Sequence, residues 1–478
     1  MELIGVCKGP TVDDVKKNLD EIQGDVDGIE LRLDLFEVID LKLLKNLLLS
    51  WNKKVILTFH NKESEEFLFL WQQLLDLAPD YVDLCWDCPD VLLSYVQKHS
   101  CRPKIILSYH NFIKTPDLDQ IYLQMQEKRA DIYKMACLAS STTDALKMLT
   151  FCYNTTQQGK PFIGIAMGEF GKITRILAAV VGSYFSYVHI HGHQTALGQL
   201  DLKDFPSLSK RTKVYGLIGE NIEKSLSPDL HNTMFSLADL DAIYIKFPLK
   251  IDELGEFFMC VNSLPFIEGL SVTTPFKERC IYYLDEISSE AVEINSVNTV
   301  RKVGGTLLGF NTDAPGSVLA VRPYIMKDFS RVLVLGSGPA ARAVAYGLVK
   351  EGMKVDIACR DVSKVVNEKL LLQTQLLTIS DVDLSIYDVI INGTSTDMPV
   401  KITDNITALL AMDVNYMQGE SSFLSCFDKI GVKTINGLPM LVHQAVLQQQ
   451  IWENDLQEVD LITLLLSDDQ YRNALQTP

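Results

Sequence analysis

The chain has 478 residues, 47% of them hydrophobic, and a formal net charge of -17 at pH 7. That length exceeds one compact core, so two or three domains are expected, and the composition excludes collagen-like, low-complexity and disordered classes. The acidic balance opposes general affinity for nucleic acid or anionic membrane, so small anionic ligands need locally placed Arg and Lys.

The opening MELIGVCKGP is too short and too quickly interrupted for a signal peptide, and no apolar run approaches a membrane span of about 20 residues. A cytoplasmic protein is the expectation. The 10 cysteines are scattered, and the one CxxC, Cys85 to Cys88, has no second pair at zinc spacing. Reduced structural thiols fit that usage.

Eight apolar runs then alternate with helical stretches: ELIGVCKG, GIELRLD, KVILTFH, YVDLCW, KIILSYH, IYKMACLA, FIGIAMG and SYVHIHG. The alternation predicts an α/β fold beginning with a (β/α)8 TIM barrel over residues 1–208, its active site at the C-terminal ends of the strands. Residues 201–213, DLKDFPSLSKRTK, read as a linker.

Side chains two apart on a strand share a face, so GIELRLD sends Glu30 and Arg32 to one side and Ile29, Leu31 and Leu33 to the other. The apolar face belongs against helices and the charged pair inside. His60, His110, Lys134 and, after the seventh run, Arg175 add polar groups near the same strand ends. Together they suggest a pocket for an anionic substrate. Lys134 is the least expected, because an ammonium ion in an apolar strand loses its hydration. Burial beside another cation predicts a lowered pKa and an amine able to attack a carbonyl, and the alternative is a lysine whose head escapes to solvent.

The motifs ELRLD, SYHNF, ADIYKMA and TALGQ, in this order, resemble type I 3-dehydroquinate dehydratase. The resemblance implies that Lys134 forms an imine with the substrate ketone and that His110 removes the neighbouring proton and protonates the departing hydroxyl. It implies that Arg175 binds the carboxylate and that Glu30, Arg32 and Gln199 position hydroxyls. Three positions depart from the family pattern: His60 stands where an Arg is usual, Thr195 replaces a Ser, and the Glu that orients the catalytic His falls in a shifted stretch, with Glu63 chosen and Glu65 the alternative. VHIHGH places His189 and His191 on one face with His193 beyond, but lacks a carboxylate or cysteine at ligand spacing, so no metal is expected.

After the linker, KVYGLIG, AIYIKFPL and GLSVTTPF read as strands of a small α/β unit. VLVLGSGPAAR then places Gly336, Ser337, Gly338, Pro339, Ala340 and Ala341 in a G-x-G-x-x-A turn between a strand and a helix, where backbone N–H groups can meet a pyrophosphate. The next strand ends at Arg360, with Lys364 nearby, which favours a 2′-phosphate and hence NADP, although Asp361 stands beside it. A helical tail follows over about 438–470.

SLSPDLHN, SVTTPFKE, INSVNTV and GFNTDAPG each close a short apolar segment with polar residues. In combination they resemble shikimate dehydrogenase. That resemblance assigns Ser225 and Ser227 to the substrate carboxylate, Thr273, Asn298 and Gln444 to its hydroxyls, and Lys277 with Asp313 to the catalytic pair. Asn392 and Thr394 would line the cofactor cleft, and Tyr416 would reach the substrate. The expected organisation is a substrate domain over 213–318 and 436–478 and a Rossmann NADP-binding domain over 319–435.

The whole chain thus resembles a bifunctional 3-dehydroquinate dehydratase and shikimate dehydrogenase, the product of the first half feeding the second. Its expected partners are 3-dehydroquinate, 3-dehydroshikimate, shikimate and NADP, in a monomer or homodimer with no nucleic-acid or membrane partner. Two rivals are a ligand sensor built on a retired barrel, and an imine-forming aldolase fused to an unrelated dehydrogenase.

Overall fold

The computed structural model describes residues 1–22, 24–60, 65–189, 194–325, 331–364, 374–402, 405–416 and 421–453. The chain divides into two compact units, Met1–Thr212 with Glu256–Phe266, and Lys213–Gly255 with the chain from Ile267 onward.

The first unit carries eight strands: β1 (Glu2–Cys7), β2 (Gly28–Arg32), β3 (Lys54–Thr58), β4 (Tyr81–Cys85), β5 (Lys104–Asn111), β6 (Ile132–Leu138), β7 (Phe162–Met167) and β8 (Phe185–His189). All pair in parallel, in the order β7-β6-β5-β4-β3-β2-β1-β8. Helices cover the connections, and their starts are capped locally. Asp40 accepts from the N–H groups of Lys42 and Leu43 ahead of the helix Leu41–Ser50, and Ser141 does the same for Thr142–Gln157.

The ring of hydrogen bonds is open at one seam. Among the described residues no ladder joins β7 to β8; Tyr184 N donates to Phe162 O at 2.8 Å beside it. A short strand, β9 (Leu200–Asp201), pairs Leu200 with Val188 and Asp201 with His189 on the edge of β8. The expected (β/α)8 barrel is thus present as eight parallel strands in a curled sheet, and the start of the expected linker is a strand. Parity then makes two cores. Ile4, Val6, Ile56, Ile106, Ile132 and Ile163 fill the inside, whereas Ile29, Leu31, Leu57, Val82 and Leu107 pack outward with Leu44, Trp71, Leu92 and Val96.

The second unit holds two sheets. In the first, β10 (Lys213–Gly219), β11 (Ala242–Pro248), β12 (Ile267–Val272), β13 (Glu286–Ile287), β14 (Thr299–Val303) and β15 (Thr306–Phe310) run in the order β11-β10-β12-β14-β15-β13, with β14 antiparallel to both neighbours. The second sheet is parallel throughout. β16 (Arg331–Leu335), β17 (Lys354–Cys359), β18 (Gln375–Thr378), β19 (Val389–Asn392), β20 (Leu410–Asp413) and β21 (Lys433–Ile435) run in the order β18-β17-β16-β19-β20-β21. That is the dinucleotide-binding order, with its crevice where the winding reverses beside β16. The helical tail forms as Leu438–Trp452, and the rest of that prediction lies outside the described residues. No helix among the described residues is long and apolar enough to cross a membrane.

Candidate active sites

In the first unit Glu30, Arg32, Thr58, Lys134 and Tyr187 open onto a cavity of about 520 Å³, whose walls also carry His60, His110, Arg175, Thr195 and Gln199. They arrive from the strands of the sheet and the loops that follow them, as the fold dictates. Glu63 lies outside the described residues. Asp83 and Ser108, both fully buried, back this group from β4 and β5.

Lys134 is 6% exposed. Its Nζ donates to Asp83 Oδ2 at 2.8 Å, lies 3.6 Å from Glu30 Oε1 and stands 4.3 Å from the centre of the Tyr187 ring. Thr58 Oγ1 donates to Glu30 at 2.8 Å, while the second Asp83 oxygen meets His60 Nε2 at 3.1 Å and the Ser108 hydroxyl. Burial alone would drive the proton off Lys134, but Asp83, Glu30 and Tyr187 outweigh it and hold the ammonium above the ordinary lysine range. This overturns the expected lowered pKa: the deciding neighbours are anions, not a second cation. Burial likewise favours a protonated Asp83, yet Lys134 and His60 keep it ionised, well below the usual carboxylate range.

His110 opens only partly, onto the cavity. Burial and then the Lys134 charge push it down to about 3, so its imidazole is neutral and able to accept a proton. Its ring stacks on Phe112 with centroids 6.0 Å apart and lies 5.3 Å from that of His60. Arg175 sits on the short helix Lys172–Ile176, 3% exposed, and burial pushes its guanidinium down to about 10. Its Nε meets no acceptor in the protein. A carboxylate would satisfy both the charge and the donor.

The remaining predicted residues are already engaged. Arg32 donates Nε and Nη2 to Asp34 at 2.9 and 2.7 Å, and Thr195 donates its backbone N and its hydroxyl to Gln199 Oε1 at 3.0 and 2.9 Å. His189 Nδ1 lies 3.7 Å from Asp201 Oδ2, while His191 and His193 fall outside the described residues. Among the described residues no group of three His, Cys, Asp or Glu could hold a metal.

A cavity of about 380 Å³ in the second unit is lined by Ser225, Ser227, Thr273, Lys277, Asn298, Asp313, Thr394, Tyr416 and Gln444. Lys277 Nζ donates to Asp313 Oδ2 at 2.6 Å, and Asn298 Nδ2 donates to Asp313 Oδ1 at 2.8 Å. The Asn298 amide is fixed from its other side, where Oδ1 accepts from Thr312 N at 2.7 Å and Thr299 Oγ1 at 2.8 Å. Asp313 opens the helix Asp313–Val321, whose dipole favours a carboxylate there. Ser225 Oγ donates to Ser227 Oγ at 3.2 Å.

Asn392 departs from its expected place in the cofactor cleft. It is 1% exposed and builds the loop instead: Nδ2 donates to Thr396 O at 3.0 Å, and Oδ1 accepts from Thr394 N and Oγ1 at 3.0 and 2.7 Å. Its work is to present Thr394.

The glycine turn suits a dinucleotide. Gly336 has φ 110°, and a Cβ there would come within 2.9 Å of Thr394 Cγ2. At Gly338, which precedes the helix Pro339–Lys350, a Cβ would meet nothing within 4 Å, leaving open space over the helix N-terminus. Pro339 starts that helix, Ala340 lines the cavity, Ala341 packs on Gly393, and Ser337 O accepts from Arg342 Nη1 at 2.9 Å. Beyond β17, Arg360 is exposed, whereas Asp361 Oδ1 accepts from Ser363 N and Oγ at 3.1 and 2.6 Å. Asp361 is thus committed to its own turn, and the donor set at this strand end fits a phosphate. The Lys364 side chain lies outside the described residues.

Comparison with known proteins covers both units. A model for type I 3-dehydroquinase matches residues 6–211, and one for the shikimate dehydrogenase substrate binding domain matches 217–300. The "Shikimate biosynthesis protein AroDE" of Chlamydia pneumoniae is 30% identical over 465 residues, 95% of this chain and 95% of that protein. The chain belongs to the bifunctional AroDE family. The "Bifunctional 3-dehydroquinate dehydratase/shikimate dehydrogenase, chloroplastic" of Arabidopsis thaliana is 29% identical over 472 residues, 89% of this chain and 77% of that protein. The "Shikimate dehydrogenase (NADP(+))" of Pyrococcus abyssi is 35% identical over 258 residues, 52% of this chain and 96% of that protein.

Within this chain, Thr58, Asp83, Ser108, Tyr187 and Gln448 were not among the residues singled out from the sequence. Asp83 was detectable, since a lone acid in the apolar run YVDLCW shares the parity of the cavity-lining Cys85. Gln448, one helical turn beyond Gln444, accepts from Ser271 Oγ and His231 Nε2 at 2.7 and 3.1 Å and donates to Asn298 O and Thr299 Oγ1 at 3.2 and 3.1 Å. Only the packing of its helix reveals that role.

Proposed function

We propose that this bifunctional enzyme of the shikimate pathway dehydrates 3-dehydroquinate in the first unit and reduces the product, 3-dehydroshikimate, in the second. In the dehydratase, Lys134 loses its proton to water in the cavity, and the amine so formed attacks the ring ketone. Loss of water yields a protonated imine that acidifies the adjacent carbon. His110 takes the proton from that carbon and returns one to the departing hydroxyl, and hydrolysis of the imine frees Lys134. Asp83 and Glu30 stabilise the protonated imine, Arg175 binds the carboxylate, and Arg32, His60, Thr195 and Gln199 position the hydroxyls.

In the dehydrogenase, NADPH supplies the hydride. Gly336 through Ala341 would hold its pyrophosphate at the helix N-terminus, and Arg360 would meet the ribose phosphate. Ser225 and Ser227 bind the substrate carboxylate, and Thr273, Asn298, Tyr416 and Gln444 its hydroxyls. Lys277 Nζ gives a proton to the ketone oxygen, and Asp313 Oδ2 holds that ammonium in place.

The observation that carries the reading is the convergence of a buried Lys134, a neutral His110 and the unmet Arg175 donor on one cavity. Incubation with 3-dehydroquinate and borohydride tests it. The expected result is a covalent mass increase on Lys134, absent in Lys134→Ala, and 3-dehydroshikimate when borohydride is omitted. Binding without turnover would instead favour a sensor. NADPH and then NADH, offered with 3-dehydroshikimate, tests the second half, with faster oxidation of NADPH expected.

A further inference from the structure

Arg342 is 8% exposed, and its guanidinium joins three stretches of the second unit. Nη1 donates to Ser337 O in the glycine turn at 2.9 Å, Nε to Ile294 O at 3.0 Å and Nη2 to Asn295 O at 3.1 Å, and Nη2 also meets the Glu278 carboxylate. Those two carbonyls end the helix Ser289–Ile294, which stops at Asn295 in the left-handed region with φ 55°. A cation there faces the negative end of the helix.

The same stretch holds Lys277. Val297 N donates to Lys277 O at 2.8 Å, and Glu278 is the next residue in the chain. Arg342 itself lies outside the lining of the cavity, yet it reaches the backbone behind Lys277 by two routes while gripping the turn that would cradle the nucleotide.

We propose that Arg342 is a positioning residue that couples the two ligands of the dehydrogenase, so that each tightens the binding of the other. The inference rests on the dehydrogenase reading of this cavity. A nucleotide that orders the Ser337 turn also orders the guanidinium, and with it Glu278 and the 294–297 stretch behind Lys277. The carboxylate and hydroxyl contacts of the second ligand then meet an already ordered Lys277, and by linkage the factor is the same in both directions.

The test is titration of the whole chain with NADPH, followed by its fluorescence, with and without saturating shikimate, a pair that cannot react. Shikimate is expected to lower the NADPH Kd by about fivefold or more in the unaltered chain and by less than about twofold in Arg342→Met. A merely structural Arg342 would weaken both affinities and leave their ratio unchanged. Glu278→Ala, at a half-exposed position, is the second variant and decides the matter if Arg342→Met loses its fold; its factor should fall as well. An unaltered chain without coupling, or undiminished coupling in the variants, overturns the proposal. An unaltered chain that binds neither ligand overturns the dehydrogenase reading instead.

Discussion

Lys134 Nζ and Asp83 Oδ2, from strands two apart in the sheet, lie 2.8 Å from one another inside the curled sheet. This contact, with Glu30 behind it, turns a buried amine into a held ammonium. In Asp83→Asn the upward pull weakens while burial persists, so the Lys134 pKa falls. Reductive methylation of Lys134 by formaldehyde and cyanoborohydride, resolved by peptide mass spectrometry across pH, should show its inflexion at lower pH in the variant. An inflexion that does not move would remove Asp83 from this role.

Arg175→Gln should raise KM for 3-dehydroquinate by roughly 10- to 100-fold, the worth of a charge-assisted carboxylate contact. Arg175→Lys should restore little, because an ammonium lacks the planar fork. Shikimate oxidation by the same preparations serves as the control and should not change.

Lys277→Met should cost the dehydrogenase about 10²- to 10⁴-fold in kcat, as for a displaced general acid. Asp313→Asn should lose a comparable factor, since its Oδ2 holds the Lys277 ammonium. Dehydration of 3-dehydroquinate by either variant should match the unaltered chain; a parallel loss there would point to misfolding.

Two glycines of the same turn should respond differently to alanine. Gly338→Ala places its methyl in open space, so the melting temperature should hold while NADPH binding weakens. Gly336→Ala imposes φ 110° on a residue with a Cβ and brings that Cβ against Thr394, so it should lower the melting temperature too. Differential scanning fluorimetry beside NADPH titration separates the two effects.

His231, completely buried, is pushed down to about 3 by burial, with its Gln448 bond acting in the opposite sense. An unfolded imidazole titrates near 6.5, so between those values the unfolded chain binds a proton that the folded chain refuses. Stability should therefore rise with pH across this window, by at most roughly 1.4 kcal/mol per pH unit from this group. Urea midpoints at about pH 5 and pH 7 should differ less in His231→Asn than in the unaltered chain. An equal difference would assign the slope to other groups.

Much of both sites was legible because strand parity is a strict rule. It placed Glu30 and Arg32 on the inner face, and the glycine spacing marked the turn between β16 and the helix Pro339–Lys350. Three features escape that rule. The charge state of Lys134 was misjudged because Asp83 comes from 51 positions earlier in the chain. The pairing of β9 with the edge of β8 falls in a stretch that reads as a polar linker. Asn392 sits in the expected motif, but its side chain turns to Thr396 and Thr394, and only loop geometry reveals that.

The orphaned Nε of Arg175 has a thermodynamic counterpart. The fold gives this buried donor no acceptor, so a bound carboxylate gains a contact for which no protein group competes. A ligand that binds only the folded unit adds to its stability, so the dehydratase half should be harder to unfold with ligand than without it.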